Sequence, residues 1–391
     1  MTNIADTPSA PLSATPVAAT AAAGTRDKRF LFGPLVDFLC LGGSSLFLLP
    51  LLFVLPESGY RAPLATAMLL VAHLINHPHF AHSYQIFYRG FARKAFRPDL
   101  GRVMQARYIF AGIVAPALLI VFCALSIARD DARLLGYGGN AMALFVGWHY
   151  VKQGYGMLMV DAVLKRRFFK DPEKKVFLVN SYVVWIFAWL SVNQAISEQQ
   201  LWGLQYYTFA IPTPIIYAGA LAAIGTGFAS FWVLVSRFRA TGALPVNGVL
   251  GYAVSLYLWL LFVWVDPLWL LVVPALHSLQ YLVVVWRYEL NYEKDRAGAA
   301  KEYTVPLVER IFGSRYYASM ALFPATGLLL GYLGFWGVPK FLDAFVPYDK
   351  SIFGGTMFLF VFWIFINVHH YFLDNVMWRR ENPDTKKYLF S

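Results

Sequence analysis

The sequence predicts an all-α polytopic membrane protein: a helix bundle of about ten transmembrane segments with both termini cytoplasmic. Three observations predict it. The 391 residues are 58% hydrophobic and 17% aromatic but only 14% charged, where a soluble domain carries about 25% charged residues. Several apolar runs approach or exceed the ~20 residues that cross ~30 Å of hydrocarbon as a helix. The basic residues gather in alternate connections between those runs, so topology accounts for the net charge of +11 and nucleic acid is not expected as a partner.

In chain order, "MTNIADTPSAPLSATPVAATAAAGT" is rich in Ala, Pro, Ser and Thr and lacks the basic start and Leu-rich stretch of a signal peptide. Residues 1–28 are therefore expected to form a disordered cytoplasmic tail, and 29–391 a single transmembrane helical domain. Spans are expected at 35–55, 63–88, 108–128, 139–164, 176–196, 213–236, 246–265, 267–287, 316–337 and 351–378. Asp266-Pro267 suits a tight turn between the seventh and eighth. The longest inner connection, 288–315, has room for an amphipathic surface helix. With the N-terminus inside, 27 of the 33 lysines and arginines fall on the cytoplasmic side. Arg61, Arg129, Arg133, Lys340 and Lys350 fall outside, and Lys152 alone lies within a span, where it is expected to snorkel or pair with Asp161. The inner membrane of a bacterium is the expected location. Cys40 and Cys123 sit inside predicted helices and form no spaced pair, which argues against a disulfide framework or a thiolate metal site.

The histidines break this apolar pattern. All eight lie in predicted spans: His73, His77, His79 and His82 on the second, His149 on the fourth, His277 on the eighth, His369 and His370 on the tenth. These four spans run in one direction, from outside to inside. Counting back from the first basic residue at each inner end places His77, His82, His277 and His370 ~10–18 Å inside the cytoplasmic boundary, and His149 deeper. Taken singly, each fits a hydrogen bond to a neighbouring helix. Independent packing choices would scatter eight histidines over ten helices and the loops, so the set points to a shared metal site. His73 and His77, at i and i+4, project from one helix face as two ligands of one ion would, and Pro78 can re-aim His79 and His82. His79 by itself faces largely away from His77, and His369 and His370 point ~100° apart. Asp374, i+4 from His370, is placed as a carboxylate ligand or an orienting acceptor, and Gln153, i+4 from His149, and Gln280, i+3 from His277, are placed to orient an imidazole or a metal-bound water. Asn367 is a further polar neighbour.

Neutral imidazole donors suit iron, zinc or copper, and the clustering at one depth argues against a haem held between helix pairs. Seven or eight candidates suggest two ions, or one ion ringed by further polar groups. The eight histidines, the "HLINH" box of His73 and His77 and the cytoplasm-side placement resemble the histidine-box integral-membrane non-haem iron enzymes. These are the lipid desaturases, hydroxylases and alkane monooxygenases, with relatives such as plasmalogen-forming desaturases. The resemblance covers four helices. It implies a di-iron centre that uses O2 to attack a C–H bond of a membrane lipid or other apolar substrate, with electrons from a cytoplasmic carrier. Only His73 and His77 match a box; His-x-x-His-His boxes are absent, and "VHHYFLD" supplies a doublet. The bacterial membrane carotenoid-cleaving dioxygenases are a parallel in architecture without shared motifs.

The expected function is thus oxidation (desaturation, hydroxylation or cleavage) of a lipid-like substrate at an iron centre. The expected ligands are His73, His77, His79, His82, His149, His277, His369 and His370, with Asp374, Gln153 and Gln280 assisting catalysis. Basic inner loops such as "KRRFFKDPEKK" suit an acidic electron carrier or anionic headgroups. Two alternatives stay open. A zinc-dependent membrane hydrolase would need three of the histidines and a metal-bound water. A transition-metal or proton-coupled transporter would be expected to show matching broken helices in two halves, and Pro78 is the one such break in the sequence.

Overall fold

The computed structural model describes residues 29–51, 59, 61–97, 100–195, 200–201, 204–266, 268–299, 311 and 314–390. The predicted tail, 1–28, and most of the 300–313 stretch lie outside them. Among the described residues ten helices, nine of them long, overlap the expected segments in order. They are α1 (Pro34–Phe47), α2 (61–88), α3 (Arg102–Ala128), α4 (Ala132–Leu164) and α5 (Asp171–Ala195), then α6 (Thr213–Thr241), α7 (Val246–Val265), α8 (Trp269–Ala299), α9 (Arg315–Phe345) and α10 (Met357–Met377). Pro383–Phe390 adds a short α11. A two-residue antiparallel pairing, Gln200–Leu201 with Leu204–Gln205, lies between α5 and α6.

Seven of these helices, α3 and α5 to α10, are long and apolar enough to cross a membrane. α1 is apolar but short. α2 and α4 fall outside the set because polar residues interrupt them: four histidines, Asn76, Ser83 and Gln85 on α2, and Asn140, His149, Lys152 and Gln153 on α4. The distribution of side chains is that of a bilayer protein. Leu221 and Phe228 are each 70% exposed and Trp264 76%, while His79, Ser83, Asn180, Gln280 and Asp374 are buried. Lipid offers exposed Leu and Phe no penalty, so association depends on close packing and on polar groups finding each other inside.

Close packing is visible where α9 crosses α2. A Cβ at Gly331 would lie 2.9 Å from the His77 Cβ, and one at Gly327 would lie 2.4 Å from the His82 ring. Only glycine lets the two backbones approach this far. α4 packs on α7, α10 on α2 and α4, and α8 on α1 and α2. Helices α2, α4, α8 and α10 therefore surround one interior region.

Polar ties close both ends. Arg89 donates two hydrogen bonds to Glu289, at 2.8 and 3.0 Å, holding α2 to α8. At the other end Arg61 grips Asp266 with both of its terminal nitrogens. Asp161 pairs with Lys165 at 2.8 Å and accepts the Gly248 N–H at 2.9 Å. Of the two roles expected for Lys152, the pair with Asp161 is not made; its ammonium lies over the Trp148 and Tyr155 rings, at 5.5 and 5.1 Å.

π turns interrupt α2, α3, α7 and α9, and α1 kinks at Gly42. The one in α2, Ala72–Asn76, sits among the histidines and decides which way they face. Pro78 has no N–H to give the carbonyl one turn earlier, and the wider turn absorbs that loss. One extra residue in a turn rotates everything after it by about 100° relative to an unbroken α-helix.

In the connection after α2, the Lys94 ammonium donates to the Ile86 carbonyl at 2.6 Å, and burial pulls its pKa from 10.5 down to about 8. Between those values the unfolded chain holds more protons than the folded one, so stability rises with pH across that window. A thermal melt of the detergent-solubilised protein should show its midpoint climbing between about pH 8 and 10, and Lys94→Met should flatten that climb.

Candidate metal centre

Four of the eight histidines meet. His79 of α2, His149 of α4, His277 of α8 and His370 of α10 converge with Asp374 in the interior region those helices surround. The Nε2 of His370 lies 3.0 Å from the Nε2 of His79, 3.2 Å from the Nε2 of His149 and 3.3 Å from Oδ2 of Asp374. His149 Nε2 is 3.8 Å from the same carboxylate oxygen. The His277 ring is centred 4.7 Å from that of His149 and 5.3 Å from that of His79. Two overlapping donor groups result, His79–His149–His277 and His149–His370–Asp374, each with its donor atoms within 4.8 Å of one another.

Those separations have a chemical meaning. Ligands about 2.1 Å from one ion lie about 3.0 Å apart at right angles and about 3.4 Å apart in a tetrahedron. Without an ion, a hydrogen on His370 Nε2 can serve only one of these facing atoms at a time. Neither nitrogen of His277 has a hydrogen-bond partner among the described residues, nor does Oδ2 of Asp374. Such groups, buried inside a bundle, leave several kcal/mol unrecovered.

The surroundings aim these donors. The Nδ1 of His79 lies 2.9 Å from the Asn76 carbonyl and 3.1 Å from the Ser278 hydroxyl. An N–H there donates to the carbonyl and leaves Nε2 as the free lone pair. Ser278 is itself held by Asn76 and by the Pro274 carbonyl, at 2.9 and 2.7 Å. The hydroxyls of Tyr281 and Ser83 donate to Oδ1 of Asp374, at 2.9 and 3.0 Å, leaving Oδ2 toward the imidazoles. Tyr150 stacks on His277 at 4.1 Å, and Phe80 meets His370 edge-on at 4.8 Å.

Comparison with protein-family models, curated proteins and solved structures finds no match.

The other four histidines do not join the cluster. His73 bonds its own helix through the Leu69 carbonyl at 2.7 Å and stacks on Trp336 at 5.6 Å. His77 stacks on Phe335 at 4.3 Å, and its ring meets His73 edge-on at 4.9 Å. His73 and His77 thus keep the i, i+4 contact expected of a box, but no third His, Cys, Asp or Glu among the described residues completes a group with them. The reason is the π turn: it separates His73 from the later part of α2, and the rotated helix turns His79, not His77, inward. His82 bonds Gln85 at 2.7 Å and stacks on Phe323 at 4.2 Å, within the α2–α9 contact. Both ring nitrogens of His369 are satisfied, Nδ1 by the Tyr84 hydroxyl and Nε2 by the Ala111 carbonyl, each at 2.9 Å.

Gln153 and Gln280 touch no imidazole nitrogen. Gln153 donates to Gln280 at 3.1 Å and to the His277 backbone carbonyl at 3.0 Å, while Gln280 donates to the Leu41 carbonyl at 2.6 Å. They brace α4, α8 and α1 behind the site. Asn367 donates to the Trp363 carbonyl of its own helix at 2.8 Å. Three polar residues around the cluster were not anticipated: Ser83, Ser278 and Tyr281. The signal was present, since Ser83 is i+4 from His79 and Tyr281 is i+4 from His277, the same spacing that singled out Asp374.

Proposed function

We propose that His79, His149, His277, His370 and Asp374 hold one iron ion within the bilayer, and that the protein is a membrane oxidoreductase that oxidises a lipid-like substrate with O2. The observation that carries the reading is the convergence of His370 Nε2 with two other imidazoles and a carboxylate at 3.0 to 3.3 Å, from three separate helices. Five donors suit one ion better than the two that eight convergent histidines would have served. Four neutral nitrogens and one carboxylate are a donor set that iron accepts. The nine long helices cross the membrane in this reading, α2 and α4 included, the short α1 enters it, and both termini lie on the basic, cytoplasmic face.

The bound ion would supply O2 activation for attack on a C–H or C=C group. The chain's own part is positioning and exclusion. Asn76 and Ser278 fix the His79 tautomer, Tyr281 and Ser83 hold the carboxylate, and Tyr150 and Phe80 cover the imidazoles with apolar surface that keeps water out. Substrate would arrive sideways from lipid, and electrons from a carrier on the basic face.

Metal quantitation on the detergent-purified protein tests this. About one iron per chain, with O2 uptake on addition of an apolar lipid substrate, is the expected result. Zinc alone, with no iron after anaerobic reloading, would turn the reading to a hydrolase using a metal-bound water. Failure to retain any transition metal would overturn it.

A further inference from the structure

We infer that the basic end of the bundle carries a discrete binding site for the phosphate headgroup of an anionic membrane phospholipid, in the cleft between the α4–α5 and α6–α7 connections. The cleft has a volume of about 260 Å³, and its walls include Arg166, Arg167, Arg237 and Thr241. It is separate from the histidine cluster and does not depend on the metal reading.

Two of the three guanidiniums are held in place by neutral acceptors. Arg167 donates to the Leu244 carbonyl, and Arg237 donates to the Phe168 carbonyl across the two connections. A carbonyl fixes a guanidinium without cancelling its charge, and it occupies only part of a fork of five N–H donors. Among the described residues the carboxylate that pairs with these arginines is Glu173, 3.9 Å from the Nε of Arg237, and its Oε2 also accepts the Lys170 N–H at 2.6 Å. Three arginines thus face one carboxylate. Arg166 is exposed, and no hydrogen bond or ion pair of its side chain occurs among the described residues. Its φ of 54° is the left-handed cap that closes α4, with the Arg167 N–H donating to the Ala162 carbonyl at 2.7 Å. Arginines that outnumber their carboxylates in this way keep N–H donors that match the bidentate geometry of a phosphate group.

The surface beside the cleft says where that phosphate comes from. α6 is the least buried of the membrane-length helices, with 11% of its apolar window buried. Phe231, Trp232 and Phe238 of its last turns are 62%, 64% and 53% exposed, and Phe168 at the cleft rim is 56% exposed. A ligand with a phosphate at one end and acyl chains at the other would satisfy both surfaces at once. Basic pockets between helices at the inner leaflet are where anionic headgroups bind. A soluble phosphate would leave the aromatic flank unused.

The test is native mass spectrometry of the delipidated full chain titrated with phosphatidylglycerol or phosphatidylcholine, with inorganic phosphate as competitor. Phosphatidylglycerol should bind one site per chain ahead of phosphatidylcholine. Arg166→Gln should weaken that site by about tenfold, the worth of one hydrogen bond to a charged group. Because the exposed Arg166 side chain makes no hydrogen bond or ion pair among the described residues, this variant should fold as the parent does. Arg166→Gln with Arg237→Gln should remove the preference between the two lipids, with metal content unchanged. Equal binding of both lipids by the parent, or an unaltered preference in the double variant, would overturn the inference. Displacement of the lipid by phosphate at equal concentration would overturn its lipid part.

Discussion

His79→Ala, His277→Ala and His370→Ala should each strip the metal from the purified protein, while His73→Ala, His77→Ala, His82→Ala and His369→Ala should retain it. The first three remove donors that converge at 3.0 to 3.3 Å or, for His277, a ring whose two nitrogens have no other partner among the described residues. Losing a group that merely orients a ligand weakens metal affinity by about 10- to 100-fold, so losing a ligand itself should cost more than that. The second four have other work. His369 is fully hydrogen-bonded between α10, α2 and α3, and His82 fills the α2–α9 contact. Their variants should lower the melting midpoint without changing metal content. Equilibrium dialysis against iron, paired with a thermal melt, separates the two outcomes. If His73→Ala and His77→Ala lost the metal as completely as His370→Ala, the site would have to be rebuilt around the box.

Much of the fold could be read in advance because the bilayer imposes a long-range rule that composition alone reveals. Twenty apolar residues between basic connections leave few choices, and each long helix overlaps its expected segment. The site was legible at the level of helices and not at the level of faces. That α2, α4, α8 and α10 would meet followed from all eight histidines lying on four like-directed segments. Which histidine of α2 points inward depends on a π turn at Ala72–Asn76, a local change of pitch that a fixed 100° per residue cannot anticipate. The same fixed pitch served α10, which has no such turn between His370 and Asp374, and there the i, i+4 pair does meet at 3.3 Å. Gln153 and Gln280 had the right spacing too, but the amide of each was taken by backbone carbonyls and by the other. Spacing gives direction along a helix; it does not say which neighbour arrives first.

Asp374→Asn should abolish metal binding and yet make the metal-free protein more stable than the parent. In the parent, Oδ1 accepts from Tyr281 and Ser83, while Oδ2 faces His370 and His149 with no donor among the described residues. A carboxyl group buried in this way is costly as an anion unless a cation or a proton neutralises it. The substitution removes that requirement, and the amide keeps an oxygen for the two hydroxyls while its NH2 group can donate to the His370 Nε2. The opposite sign is expected once metal is added. An ion present at about 100 times its dissociation constant stabilises a folded protein by about 2.7 kcal/mol, so the parent's melting midpoint should rise on reloading and that of Asp374→Asn should not move. Tyr281→Phe should fall between them, weakening metal affinity by about 10- to 100-fold while still permitting reloading. A residue with a purely structural role would lose stability on substitution in both states. The crossing of the two curves, the variant above the parent without metal and below it with metal, is the signature of a carboxylate kept for an ion, at some expense to the empty fold.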